Sequence, residues 1–269
     1  MADIHIVGLG VLNGDHLTLE VDAVLRRVNE VLYLDTGIAT PALLEARCDR
    51  VTSLYHETYR AGASRSAGYQ RAAARVIEAA LDRSPVAFAI QGHPTVLVHA
   101  PSLVTRMAGA LGLEVKVYPG ISSLACLFAE QMIDPGVQGL QMMEATDMLL
   151  RRRPVQVDMP LLLWQVGNVE TALHATRRSR PARFQRLHRY LLQHYPASHP
   201  VLAYFATPHP LLPSSAVRFA LAQLPDHVDE LHHGTTLFLP AVRQRPVQDP
   251  ELAALLTDPA HLHQVTGQG

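Results

Sequence analysis

Two turn cassettes constrain this chain more than any other feature: Gln91-Gly92-His93-Pro94-Thr95-Val96-Leu97 and Tyr118-Pro119-Gly120-Ile121-Ser122-Ser123-Leu124. Each follows a strand-like apolar run, Val86 to Ile90 and Val115 to Tyr118, and precedes a helix-like one. Strand, small-residue turn, then helix is the order of open α/β sheets, which bind ligands beyond the carboxyl ends of their strands. Glycine and proline also punctuate ordinary turns between elements. Two such turns, a helix and a strand apart, predict one shared cleft in which backbone amides are free to approach a ligand.

The same alternation runs through the rest of the first half. Ile4 to Val7 reads as a strand ending at Gly8-Leu9-Gly10, and Thr18 to Val28 as a helix capped by Thr18. Val31 to Leu34 is the next strand, Pro41 to Arg47 a short helix, Ala67 to Leu81 a longer one, and Ser102 to Leu111 and Ile121 to Met132 two more. This pattern favours a largely parallel sheet covered by helices. A second half opens near Asp134-Pro135: helix from Glu144 to Arg151, strand from Leu161 to Val166, helix from Arg183 to Gln193, strand from Val201 to Phe205. A helix over Ser214 to Leu224 and a strand over Thr235 to Leu239 complete it, followed by one weak helix, Pro250 to Leu256. The expectation is an N-terminal α/β lobe over residues 1–120, a C-terminal one over 121–245 and a short tail over 246–269, with a cleft between the lobes. Arg177-Arg178-Ser179-Arg180 reads as solvated charge on a surface loop.

Charge and cysteine content exclude several classes. With 23 basic and 24 acidic residues the net charge is -1, so no global field attracts nucleic acid or an anionic membrane. Apolar residues make up 48% of the 269, ample for a packed core. No apolar stretch is long enough to span a bilayer, and the N-terminus reads as a first strand rather than a secretory signal. Cys48 and Cys126 form no metal or redox spacing. The cytoplasm is the expected compartment.

Several motifs invite chemistry and fail on inspection. Gly8-Leu9-Gly10 begins a dinucleotide fingerprint, but Asn13 stands where its third glycine belongs and no acidic residue is placed for a ribose. The 15 histidines include no HExxH or facial triad, and His232-His233 would diverge on a strand, so no metal is expected. Ser122-Ser123 lacks the GxSxG elbow of a hydrolase. Tyr55, Tyr59, Arg65 and Tyr69 form a more informative set. Arg65 and Tyr69 stand at i and i+4 on one helix face, where a guanidinium beside a phenol lowers a pKa that begins near about 10. The alternative is that the tyrosines pack against the sheet while Arg65 reaches solvent.

Together these segments resemble the tetrapyrrole methylase superfamily, through Val7-Gly8-Leu9-Gly10, Leu17-Thr18-Leu19-Glu20, Gly92-His93-Pro94 and Pro119-Gly120-Ile121-Ser122. Within it the chain is most similar to the borosin peptide backbone α-N-methyltransferases. That likeness rests on Asp134-Pro135, Glu144-Ala145-Thr146, Trp164-Gln165-Val166-Gly167, Thr235-Thr236-Leu237-Phe238-Leu239-Pro240 and the tyrosine and arginine set. The resemblance implies two α/β lobes of the tetrapyrrole methylase type with the methyl-donor site in the cleft between them. It implies S-adenosylmethionine as cofactor, S-adenosylhomocysteine as product, and no metal. By matching motif, Gln91, His93, Val96, Leu97, Ser122, Ser123, Gln165, Thr235 and Thr236 would line the donor pocket, with Tyr204 beside it. Tyr55, Tyr59, Arg65 and Tyr69 would face the acceptor, with Tyr59 or Tyr69 as base and Tyr55 or another tyrosine donating to the carbonyl oxygen.

Borosin enzymes of the fused kind carry their substrate as a C-terminal extension, whereas this sequence ends at Gly269 without an apolar core peptide. The resemblance therefore points to the split form, a homodimer acting on a separate precursor peptide. Two other readings remain: a methyltransferase for a tetrapyrrole or other small molecule, and a non-catalytic scaffold that binds the donor.

Overall fold

The computed structural model describes residues 2–175 and 179–267, so Arg177 and Arg178 of the charge run, and Gly269, lie outside the described residues. The first half is β1 (Ile4–Gly8), α1 (Leu19–Leu25), β2 (Glu30–Leu34), α2 (Thr40–Glu45), β3 (Val51–Ser53), α3 (Tyr55–Thr58), α4 (Arg65–Arg83), β4 (Val86–Ile90), α5 (Ala100–Ala110) and β5 (Val115–Tyr118). The second continues with α6 (Ser123–Gln131), α7 (Pro135–Gln138), β6 (Gln141–Glu144), α8 (Ala145–Arg151), β7 (Leu161–Trp164), α9 (Gln185–Leu191), β8 (Pro200–Phe205), β9 (Ser215–Ala220) and β10 (Thr236–Leu239). Two exposed helices follow, α10 (Pro250–Leu255) and α11 (Pro259–Thr266).

Among the described residues the strands form two five-stranded sheets. The first has the order β3-β2-β4-β1-β5 and is parallel throughout. Its central strands β1, β2 and β4 are buried along their whole length, which is why, His5 and Glu30 apart, they read as continuous apolar runs rather than alternating ones. Ile4, Ile6, Phe88 and Ile90 face α4 and α5, while Val7, Ala87 and Ala89 face α1 and α2. Thr18 caps α1 by accepting from the Val21 amide, and Ser64 caps α4 in the same way from Ala67.

The second sheet, β6-β7-β10-β8-β9, is mixed: only β6 and β7 run parallel. Here one expectation fails. Ser214 to Leu224 is not a helix but strand β9 followed by a 3-10 turn over Leu221–Asp226. Val217, Phe219 and Leu221 recur at every second residue and pack into the core, while Ala216 and Arg218 are exposed. Period two therefore governs the segment, and antiparallel pairing with β8 from Pro200–Ala220 to Phe205–Ser215 satisfies its backbone. β3, β6, α3, α7 and α11 were not anticipated; all but α11 are four residues or fewer, too short for a periodic signal.

Burial holds the imidazoles of His5, His16, His174, His199 and His232 below their ordinary value of 6.5. A ring that is neutral when folded and protonates when unfolded contributes stability present above its unfolded value and lost as pH falls toward its folded one. The melting midpoint is therefore expected to decline once the pH drops below about 6.5, the ordinary imidazole value. A midpoint unchanged across that window would show these rings to be hydrated in the fold.

Candidate functional site

The cleft is built where three strand ends meet. In the first sheet β1 lies between β4 and β5, so the loops after these strands are neighbours although they are far apart in sequence. Gly10 and Gly92 exchange backbone hydrogen bonds, Gly92 N to Gly10 O at 2.8 Å and Gly10 N to Gly92 O at 3.2 Å. A Cβ added at Gly8 would sit 2.6 Å from the Gly92 carbonyl oxygen and 2.7 Å from Gly120 Cα. Three backbones thus touch at Gly8, Gly92 and Gly120, and only glycine permits this. The two cassettes are brought together by that contact, which leaves their following residues free to line a cavity.

The cavity has a volume of about 260 Å³ and is walled by both lobes. From the first lobe come Tyr59, Tyr69, Gln91, His93, Val96 and Leu97, with Ser122 and Ser123 at the start of α6. Gln165, Thr235 and Thr236 enter from the second lobe. Each of these was named from sequence. Leu97 and Gln165 hold left-handed backbone, φ +57° and +58°, although neither is glycine. Such strain persists where the surrounding structure fixes it, and it marks functional sites more often than ordinary loops. Ser122 accepts from the Ala125 amide as the cap of α6, so the free amide end of a nine-residue helix faces the cavity. The His93 ring is held by Thr95, whose amide lies 3.2 Å and whose hydroxyl lies 3.1 Å from Nδ1.

Three named residues stand outside the lining. Tyr55 is one ring behind it, its centroid 5.1 Å from that of Tyr59. Tyr204 is buried on the other side of β8, close to Ser214 and Glu130, and burial pushes its hydroxyl pKa up. Its neighbour Phe205 takes the lining position, together with Ala206, because successive strand residues face opposite sides.

Arg65 departs most from expectation. Its guanidinium is turned to the second lobe, donating from Nη2 to the Thr171 carbonyl at 2.6 Å and from Nη1 to Gln165 Oε1 at 3.4 Å. Its backbone amide donates to Ala172 O, and the segment Ala172 to His174 pairs with Gly62 to Arg65 through Gly62 N to His174 O and His174 N to Ala63 O. A strap from the second lobe is therefore laced to the start of α4. The Tyr59 hydroxyl responds to its own surroundings: burial, with Tyr69 and Tyr55 beside it, raises its pKa. The expected lowering by Arg65 is not seen at Tyr59, because burial outweighs a cation already committed to a carbonyl and an amide.

Sequence reading passed over His174, His99 and His233. The His174 ring lies 5.2 Å from Tyr59, and His99 lies 6.5 Å from Tyr69. His233 lines the cavity and, with Arg65, contributes to the lowered His174 pKa after burial. As a neighbour of His232 it argues only against a metal pair, and no local pattern marks it as a cavity residue. Trp164 and Gly234 complete the second-lobe wall; Trp164 lies within a segment that carried the family resemblance, and Gly234 just before one. Among the described residues no group of three or more histidine, cysteine or acidic side chains is placed to hold a metal ion. Nor is any helix long and apolar enough to cross a membrane.

Comparison with known proteins agrees with this architecture. The chain is 28% identical over 244 residues to the methyltransferase/dendrothelin A precursor of Dendrothele bispora, covering 90% of this chain and 58% of that protein. It is 30% identical over 237 residues to the methyltransferase/omphalotin A precursor of Omphalotus olearius, covering 87% and 57%. The match thus spans somewhat more than half the length of these relatives. Among solved structures, uroporphyrin-III C-methyltransferase from Thermus thermophilus, complexed with S-adenosylhomocysteine, shares the fold with a TM-score of 0.61 at 18% identity, covering 88% of this chain and 96% of the other. Residues 3–207 match the model for tetrapyrrole (corrin/porphyrin) methylases, from just before β1 to just past β8, and the chain belongs to that family.

Proposed function

We propose that the protein is an S-adenosylmethionine-dependent methyltransferase that methylates backbone amide nitrogens of a separate precursor peptide. The observation that carries this reading is one cavity lined both by the two turn cassettes, through Gly92, His93, Ser122 and Ser123, and by Tyr59 and Tyr69. The cleft suits the donor: the amides at the start of α6 can donate to a carboxylate, Leu34, Trp164 and Phe205 offer apolar surface to a purine, and tyrosine faces favour a sulfonium cation. When bound, S-adenosylmethionine supplies an electrophilic methyl carbon. The relatives from Dendrothele bispora and Omphalotus olearius join a methyltransferase to a cyclic-peptide precursor, which supports a peptide acceptor.

A peptide nitrogen is a poor nucleophile because its lone pair is delocalised into the carbonyl. The chain's own groups must hold that amide in line with the donor, receive its proton and stabilise charge on its oxygen. Tyr59, with its pKa raised by burial, keeps its proton and donates from Oη to the acceptor oxygen. Tyr69 Oη, after yielding its own proton to solvent, receives the amide proton. Arg65 holds the strap and Gln165 so that both lobes close on one geometry. A homodimer belongs to the same proposal, with exposed Leu256 and Val265 of the tail as apolar surface for it.

Incubation with labelled donor and candidate precursor peptides, followed by fragment mass spectrometry, tests the reading. Methyl mass on backbone nitrogen is the expected result. Transfer to a tetrapyrrole alone, or donor binding without transfer, would overturn it.

A further inference from the structure

A second cavity of about 340 Å³ lies between α8 and α9, remote from the three strand ends, lined by Leu149, Arg152, Arg186, Arg189, Tyr190 and Gln193. A neighbouring one, also of about 340 Å³, shares Leu149 and Arg186 with it and continues past Leu150 to Thr171 and Ala172. Those last two residues belong to the strap that Arg65 holds. The groove therefore runs from a basic pocket on the second lobe to the edge of the cleft.

Its charges are unevenly matched. Arg186 is paired with Glu170 at 3.1 Å, and Arg151 and Arg153 share Asp147. Arg152 and Arg189 have no carboxylate partner among the described residues. In a chain of net charge -1, two uncompensated guanidiniums in one pocket are a local concentration that global composition does not supply. Arg152 and Glu170 also hold left-handed backbone, φ +46° and +66°, so four of the five non-glycine residues of this kind lie at the cleft or along this groove. Between the basic end and the strap the wall is formed by Thr146, Leu149, Leu150 and Glu170, whose carboxylate is taken up by Arg186, and Leu150 is 78% exposed.

We infer that this groove docks an acidic, leucine- or valine-bearing segment of the acceptor polypeptide, outside the stretch that enters the cleft. The inference rests on the peptide-methyltransferase reading above. A guanidinium fork matches a carboxylate with two parallel hydrogen bonds, and apolar side chains spaced along the same segment cover Leu149 and Leu150. A nucleic acid backbone would need a longer basic track than two free arginines provide. Docking away from the cleft raises the effective concentration of the segment to be methylated.

The test is fluorescence anisotropy with a short labelled peptide carrying two glutamates around a Leu-Val pair, against the same peptide with glutamines. The glutamate peptide is expected to bind in a salt-sensitive way, and the double variant Arg152→Gln/Arg189→Gln to weaken it about ten-fold or more. Circular dichroism and donor affinity are expected to stay at wild-type values, as is methyl transfer to a short acceptor lacking the acidic segment. Equal binding of the two peptides, equal binding by the double variant, or binding at these arginines of tripolyphosphate or an oligonucleotide but not of the peptide would overturn the inference. Arginine-dependent peptide binding without methyl transfer to any peptide would sustain the docking site and sink the peptide-methyltransferase reading instead.

Discussion

Gly120→Ala is expected to destabilise the protein by about 3 kcal/mol or more, lowering the melting midpoint by roughly 5–10 °C. The added methyl would meet backbone, with Gly8 C at 2.7 Å and the Gly92 carbonyl nearer still, and backbone at the ends of three adjacent, mutually paired strands cannot move aside. On the proposed reading donor affinity falls as well, because relieving the clash separates the cassettes that hold the donor. Gly109→Ala is the control. It lies inside α5 with nothing within 4 Å of an added Cβ, so it is expected to be neutral or stabilising by about 0.5–1 kcal/mol. Calorimetry of the two variants beside the wild type separates a local steric effect from a general intolerance of substitution. Equal midpoints for both would show that the strand ends are looser than their contacts imply.

The second large effect is on rate. Arg65→Ala is expected to slow methyl transfer about ten-fold or more, and Tyr69→Phe by a similar factor, within the range that a positioned acid–base group supplies. The two variants should differ in everything else. Arg65 grips Thr171 O and Gln165, so its loss frees the strap and one cavity-lining side chain, and donor affinity weakens together with the rate. Tyr69→Phe removes one oxygen from a ring that keeps its packing against Tyr59, and donor affinity stays near that of the wild type. Arg65→Lys is expected to recover little, because one ammonium cannot reproduce a planar donor fork that spans two acceptors. Single-turnover rates and donor titrations for the three variants give the comparison. Wild-type rates for both Arg65→Ala and Tyr69→Phe would remove the assigned roles.

Much of this was legible in the order of residues. The parallel first sheet follows from runs such as Val86 to Ile90 that are apolar throughout, and the cavity wall follows from cassettes whose glycines and serines sit just past those runs. β9 was misread because Ala216 and Ala220 fill in a helical stripe when the alternation of Val217, Phe219 and Leu221 is the signal that tertiary pairing rewards. Tyr204 and Phe205 differ by one place, and only the pleat of β8 decides which of them the cavity receives.

By itself the sequence determined which segments are strands buried on both faces and where the small-residue turns between them fall. Periodicity and turn chemistry are local properties, and each is written within a few consecutive positions. Tertiary structure alone decided the partners of the side chains at the cleft. Arg65 stands four residues from Tyr69 but spends its guanidinium on residues about a hundred positions away, and His174 reaches Tyr59 only through a strap laced across two lobes. A charged group settles on the acceptors that fold closure brings within reach, and sequence distance carries no information about those.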